Sequence, residues 1–410
     1  MEPIRILHIA DIHLGIENYG RLDTATGLHT RLQDFSRCLT FAVDTALERD
    51  VDAVLFAGDA YKVATPSPTH EGILAEQMKR FADAEIPVIM VTGNHDIPAA
   101  FGKSSALNIF RTLGGEEFFH VAEKPELITI STKRGAFQVA CFPWPTRHVL
   151  LTKEEYKNFS AQDITRTIEE KCESRLQKFG RDLDPDLPAV LLAHLAAANV
   201  KYSGTERTTV IGNDPIIAQS LLKNPVFDYV ALGHIHRHQD LNRGNTPPVV
   251  YPGSLERIDF GEADEDKGFC LVSLKKGASQ YEFIPTPARK FVKIELDVRG
   301  EEFPTEVILK ALKRYDIIDA VVRVAYTISE TQKGLINVKL LYAALEDAFL
   351  TARIAQRLEE IRTQRPRIAE DASITDAFRQ YLEQTPELQE LKDDLAQYGQ
   401  RLIQELELSE

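Results

Sequence analysis

Four features are scarce or missing in this 410-residue chain, and each excludes something. There are only four cysteines, Cys38, Cys141, Cys172 and Cys270, scattered and never paired as CxxC. That fits thiols kept reduced in a cytoplasm better than a disulfide or zinc-finger framework. No basic stretch with a long apolar core precedes the first strand, so a signal peptide is not expected. No apolar run approaches the length of a membrane span. Positive charge is in deficit, with 48 Lys and Arg against 62 Asp and Glu, a net of −14. Half of that excess lies in residues 371–410, where ten acids face three bases. Strong phosphate-driven binding by this chain alone is therefore not expected.

The length suggests two or three domains, and the ordinary apolar fraction allows a large core. Short apolar runs alternate with amphipathic stretches. Strands are expected at Ile4–Ala10, Ala53–Ala57 and Val88–Val91, and helices at 34–48, 69–84 and 103–113. This spacing predicts βαβ units and a largely parallel sheet. Short strands follow up to Phe142, then a charged helix near 160–179, then strands at 189–193 and 228–232. Later alternating strands close the region near Pro285. A second sheet packed on the first is expected, an α/β sandwich flanked by helices.

Pro285-Thr286-Pro287 reads as a boundary, which divides the chain into 1–285, 286–366 and 367–410. The middle segment is expected to be a small α+β unit of strands at 291–298 and 321–328, with helices near 306–315 and from about Val338 onward. The last segment reads as a helix–loop–helix. Leu388, Leu391, Leu395, Tyr398 and Leu402 form a narrow apolar stripe on a charged helix, and Ile374, Phe378, Tyr381 and Leu382 sit on a shorter one before Pro386. A stripe of that kind needs a partner.

Five apolar strands end in chemistry-bearing residues: Asp11 and His13, Asp59, Asn94 and His95, His194, and His234 and His236. In open α/β sheets, ligands sit beyond the carboxyl ends of the strands. Gly58, Gly93 and Gly233 each directly precede one of these residues, where a turn needs unusual backbone angles or close approach. With His95 set aside, the inventory is two Asp, one Asn and four His. That is too many donors for one ion and suits two. Donors that are all oxygen or nitrogen favour Mn²⁺, Fe or Zn²⁺ over a structural cysteine–zinc site. Asp59 is the natural bridge. Two ions about 3.5–4 Å apart hold a hydroxide at neutral pH and clamp a phosphoryl group. His95 is left to face a substrate and supply a proton or positive charge to a leaving alkoxide. The other six histidines, among them His8, His29, His70, His120 and His238, have no such setting and suit structural or surface roles; His148 remains a candidate to line a cleft.

The ordered motifs DIH, GD, GNHD, a strand-end histidine and GHIH resemble the calcineurin-like metallophosphoesterase superfamily, with its four-layer sandwich. Within it, HIADIHLG, AGDAYKVATPSPT, GNHDIPAA, ALGHIHRHQ and YPGSLERIDFGEADEDKGF look like SbcD, the nuclease subunit of the SbcC–SbcD complex. The resemblance is close over about Ile4 to Arg289 and one of layout beyond. It implies one ion held by Asp11, His13, Asp59 and His236, a second held by Asp59, Asn94, His194 and His234, and His95 as the catalytic histidine. It further implies two Mn²⁺, 3′→5′ exonuclease and endonuclease activity on DNA, and roles in DNA repair, recombination and replication. Residues 286–366 become a capping domain. Residues 367–410 become the helices that bind the coiled coil of an SbcC-type ABC/SMC-like ATPase, in a heterotetramer built on a homodimer of this chain in the cytoplasm. Lys62 departs from the pattern, since many such proteins carry histidine there. Arg147, Lys201, Arg207 and Arg257 are candidate contacts to a DNA backbone. The competing readings are a phosphatase or small-molecule phosphodiesterase with the same ions, and a non-catalytic scaffold.

Overall fold

The computed structural model describes residues 2–98, 102–146, 159–204, 214–359, 373–384, 388 and 391–407. Strands β1 (Ile4–Ile9), β2 (Ala53–Phe56), β3 (Val88–Val91) and β4 (Phe119–Ala122) run parallel, side by side. A second sheet gathers β5 (Glu126–Thr132), β6 (Gly135–Phe142), β7 (Ala189–His194), β10 (Tyr229–Gly233), β11 (Gln239–Asp240) and β12 (Val249–Tyr251), in the order β11-β12-β10-β7-β6-β5. A two-stranded ribbon, β8 (Ala196–Ala197) with β9 (Ile216–Ile217), lies apart from both sheets. Finally β13 (Gly268–Leu274) and β14 (Gln280–Pro285) return to the first sheet, antiparallel on the free side of β1.

The strands read as near-continuous apolar runs because both faces are covered. Ile6, Leu55 and Ile89 point at the second sheet and pack with Phe137, Val190, Leu192 and Ala231. Their neighbours Leu7, Val54, Phe56, Val88 and Met90 point the other way, under helices α1 (Thr30–Glu48) and α2 (Pro68–Asp83). On the far side, Ile164, Ile168, Cys172, Leu176 and Phe179 of α4 (Ala161–Asp182) cover the second sheet. The result is four layers: helices, sheet, sheet, helix.

Two boundaries differ from the sequence expectation. Helix α1 starts at Thr30, ahead of its apolar periodicity, because the His29 side chain accepts a hydrogen bond from Arg31 N and caps it. Helix α3 (Asn108–Phe118) lies downstream of the expected 103–113. A short helix α5 (Gln219–Leu222) precedes β10.

The segment after Pro285 forms a three-stranded parallel sheet of β15 (Phe291–Asp297), β16 (Val321–Ile328) and β17 (Leu350–Leu358), with α6 (Pro304–Leu312) and α7 (Val338–Ala343). Ile294, Ile308, Leu312, Val324, Tyr326 and Leu341 make its core. The long helix expected from Val338 is corrected here: α7 ends at Ala343 and the chain enters β17. Residues 350–358 are rich in helix formers, but pairing along β16 overrides that weak preference. Helices α8 (Ile374–Gln384) and α9 (Lys392–Glu407) pack together where Gly399 meets the Phe378 ring. Ile374, Tyr381, Tyr398 and Leu402 stay exposed. Among the described residues, no helix is long and apolar enough to cross a membrane.

A buried ion pair ties the three-stranded unit to the main body. Arg289 donates from Nε and Nη2 to the two oxygens of Asp34 on α1, both at 2.6 Å, and from Nη1 to Asp319. Burial works against the Asp34 charge, yet Arg289 and Arg31 hold its carboxyl below the usual range. Replacing Arg289 with Met should cost about 3 kcal/mol, the scale for stranding one partner of a buried pair. Urea unfolding measures this, and an unchanged midpoint removes the role. A depressed carboxyl stabilises the fold above its unfolded pKa, near ~4. That stabilisation is lost as pH falls through the folded value. The gap between parent and variant should therefore narrow on acidification.

Candidate metal centre and active site

Parallel strands bring their carboxyl ends to one edge, and the two sheets share that edge. β1, β2 and β3 deliver Asp11 with His13, Asp59, and Asn94 with His95; β7 and β10 deliver His194, and His234 with His236. The loops leave the strands sharply. Asp11, His13, Asp59 and His234 all lie at positive φ, His234 at 100°, a region that non-glycine residues occupy at a cost and that clusters at functional sites. Two of the preceding glycines are needed for closeness. A Cβ on Gly93 would sit 2.0 Å from Asp59 Oδ1, and one on Gly233 would sit 2.0 Å from the Ala57 carbonyl oxygen.

Asp96 holds these loops together. Its buried carboxylate accepts hydrogen bonds from Gly93 N (2.9 Å), Asp59 N (2.8 Å) and Ala60 N (3.0 Å). Burial and the neighbouring Asp59 charge push its carboxyl up to about 7, against the pull of the amides. Asp59 is therefore held with Oδ1 accepting from His95 N at 2.9 Å. Its Oδ2 lies 3.7 Å from His13 Nε2 and 3.4 Å from His194 Nε2, between two groups of donors.

In one group, His13 Nε2 and His236 Nε2 approach to 3.0 Å beside Asp11. His236 turns its Nδ1 to Glu262 Oε1 at 2.9 Å, which leaves an Nε2 lone pair aimed at another ring nitrogen. In the other group, Asn94 Oδ1 meets His194 Nε2 at 3.0 Å and His234 Nδ1 at 3.1 Å. His194 gives its Nδ1 proton to the Ala57 carbonyl oxygen. Such convergent lone pairs call for a cation, and nitrogen and oxygen donors without thiolate fit a divalent ion of intermediate hardness in each group. The charges agree. Burial alone would depress His194, but Asp59 and Asp11 outweigh it and push the imidazole up to about 9, so this position favours positive charge. Burial raises Asp11 to about 6 despite the nearby histidines. The Asp11 carboxylate also accepts from His234 N at 3.0 Å, which couples the two groups.

His95 stands exposed at the rim, edge-on to His13 with ring centroids 5.0 Å apart. Its Nδ1 is hydrogen-bonded to the Lys62 carbonyl oxygen at 2.9 Å, and His95 offers a donor atom within 4.8 Å of donors on His13 and Asp59. All seven sequence-derived ligand candidates and His95 thus meet at one edge. His8, His29 and His238 have structural work instead: His8 bonds Tyr229 and Leu232 between the sheets, His29 caps α1, and His238 stacks on Phe283. Arg257 is a correction. Its guanidinium is folded inward onto the carbonyls of Arg289 (3.0 Å) and Glu265 (2.7 Å), so it is not available to a DNA backbone. Arg147, His148 and Arg207 lie outside the described residues.

Sequence reasoning passed over four contributors. Asp96 belongs to the quoted GNHD, and Glu262 with Lys267 to the quoted GEADEDKGF; the motifs contained them but did not say what they touch. Trp144 lays its ring against His234, centroids 4.7 Å apart, and has no motif to mark it.

A Gly93→Ala variant should lose ion binding while keeping the fold, because the added methyl group displaces the Asp59 carboxylate. Differential scanning fluorimetry with and without Mn²⁺ tests this. A metal-dependent rise in melting temperature equal to the parent's would show that the close approach is not needed.

A model of the calcineurin-like phosphoesterase family matches residues 4–238. Among solved structures, a dimetal phosphatase from Danio rerio, LOC 393393, is similar at 12% identity and a TM-score of 0.43, over 70% of this chain and 97% of that one. The protein TT1561 of Thermus thermophilus is similar at 15% identity and a TM-score of 0.39, over 68% and 99%. The family match spans more than half of the chain, which therefore belongs to the calcineurin-like phosphoesterases, hydrolases of phosphoester bonds that work with two divalent metals.

Proposed function

We propose that this chain is a Mn²⁺-dependent DNA nuclease, a 3′→5′ exonuclease and endonuclease that works with an SbcC-type ATPase on DNA ends. The observation that carries the reading is the placement of Tyr251–Phe269, one of the stretches that look like SbcD. It lies against the first donor group, with Glu262 bonded to His236 and Lys267 Nζ donating to the His236 carbonyl oxygen at 2.9 Å. That this stretch touches the site supports the reading.

Bound as a pair, divalent ions supply Lewis acidity that lowers the pKa of water and neutralises phosphoryl charge. The chain's own work is positional. Asp59 sits between both donor groups and also fixes the His95 backbone. His95 stands at the open rim with its Nδ1 held by the Lys62 carbonyl oxygen, where its imidazole gives a proton to the departing deoxyribose oxygen of a phosphodiester. Trp144 backs His234 and shields the second donor group on one side.

Partner binding is part of the same proposal. The exposed apolar residues of α8 and α9 (Tyr398 is 64% exposed) suit the coiled coil of the ATPase. An apolar groove between α2 and α3, lined by Ala75, Ala82, Ile109 and Leu113, suits a second copy of this chain. DNA grip by the ATPase accounts for an acidic nuclease subunit.

The decisive experiment is cleavage of linear double-stranded and single-stranded DNA by the purified chain in Mn²⁺ or EDTA, alone and with the ATPase and ATP. A small aryl phosphodiester is run in parallel. Mn²⁺-dependent DNA cleavage is expected, and His95→Asn should lower it by at least about a hundredfold, the lower end of what general-acid groups contribute, with Mn²⁺ still bound. Turnover of the small ester alone, with the ATPase present, would replace the nuclease reading by the small-substrate one. Deleting residues 370–410 should abolish co-purification with the ATPase and leave aryl-ester hydrolysis intact; retained co-purification would move the partner surface elsewhere.

A further inference from the structure

In four of the five imidazoles at the centre, one nitrogen faces away from the donor groups, and what lies against it differs from ring to ring. His194 and His95 donate theirs to backbone carbonyl oxygens, those of Ala57 and Lys62. The outer nitrogen of His234 has Asp214 Oδ2 near it only at 3.5 Å, beyond hydrogen-bond geometry. Among these four outer nitrogens, only that of His236 is hydrogen-bonded to a carboxylate, Glu262 Oε1 at 2.9 Å. That carboxylate is 2% exposed and is itself anchored, with Oε2 accepting from Ile258 N at 2.9 Å and lying 2.9 Å from Lys267 Nζ. Lys267, 1% exposed, also donates to the His236 carbonyl oxygen and to Glu265, which Ser203 Oγ hydrogen-bonds in turn. Both the ring and the backbone of His236 are thus gripped from behind by one buried ion pair.

We propose that the Glu262–Lys267 pair is a positioning device that makes the two ion sites unequal, giving the site of Asp11, His13, Asp59 and His236 the higher affinity for a divalent cation. A carboxylate behind a ligating histidine fixes its tautomer and raises its basicity, and loss of such a partner typically weakens metal binding about 10–100-fold. Formal charge acts in the same direction. The first site has two carboxylates as donors, Asp11 and Asp59, while Lys267 offsets the charge of Glu262 behind His236. The second shares Asp59 and otherwise has neutral Asn94, a carbonyl-backed His194, and His234. The second ion is then the exchangeable one. The inference rests on the two-ion reading of the centre and not on the identity of the substrate.

Calorimetric titration of the metal-free full chain with Mn²⁺ tests it. The parent should bind two ions in two separated steps, and Asn94→Ala should remove the weaker step and spare the tighter. Glu262→Gln should weaken the tighter step about 10–100-fold and leave the other in place. Its melting temperature in EDTA should stay near the parent's, since Lys267 retains Glu265. Should that variant not fold, Glu262→Asp keeps a charge opposite Lys267 while withdrawing the carboxylate from Nδ1, and a loss in the same step is expected. Two steps of equal affinity in the parent, or parental affinities in a folded Glu262 variant, would overturn the inference. A parent that binds a single ion would overturn the two-ion reading itself.

Discussion

One buried carboxylate, Asp96, sets the geometry on which the centre depends. By accepting amides from both the β2 and β3 loops, it fixes where Asp59 stands relative to Gly93 and so where the two donor groups meet. A charge in that position is stabilised only while its hydrogen bonds are made, since an unpaired buried charge costs several kcal/mol. The loops cannot separate without stranding it. The close approach of Gly93 to Asp59 follows from the same clamp, as does the hydrogen bond from His95 N to Asp59 Oδ1.

Around that clamp the fold works by convergence. Strands β1 to β3 and β7 with β10 are apolar on both faces and carry almost no polar side chains until they stop. All the chemistry is therefore displaced to their ends, where side chains can turn toward one another. Left-handed backbone at Asp11, His13, Asp59 and His234 does the turning. Its cost falls on a centre braced by two large cores, the inter-sheet layer and the layer beneath α1 and α2.

Much of this was legible from the residues. Strands buried on both faces write themselves as short apolar runs, and a glycine followed by Asp, Asn or His at the end of each is a local signal. What stayed hidden depended on contacts between distant segments. Glu262 reaches His236 across 26 residues through a 3-10 turn, and no periodicity announces that pairing. Arg257 lies in an apparent loop, yet its guanidinium has carbonyls for partners that only the folded chain supplies. Strand β17 was obscured because Ala, Leu, Gln and Arg favour helix in isolation, and the edge of β16 decides otherwise. The boundary near Arg365 and Pro366 lies outside the described residues.

The acceptor behind His95 is a main-chain oxygen, that of Lys62. A peptide carbonyl is present whichever side chain position 62 carries, so the orientation of this imidazole is insulated from mutation there. The Lys62 side chain can therefore change without disturbing that imidazole. It is exposed beside the rim, where a change of charge alters the local field without loosening the imidazole. The site thus separates what must be kept from what evolution can adjust, within a single residue.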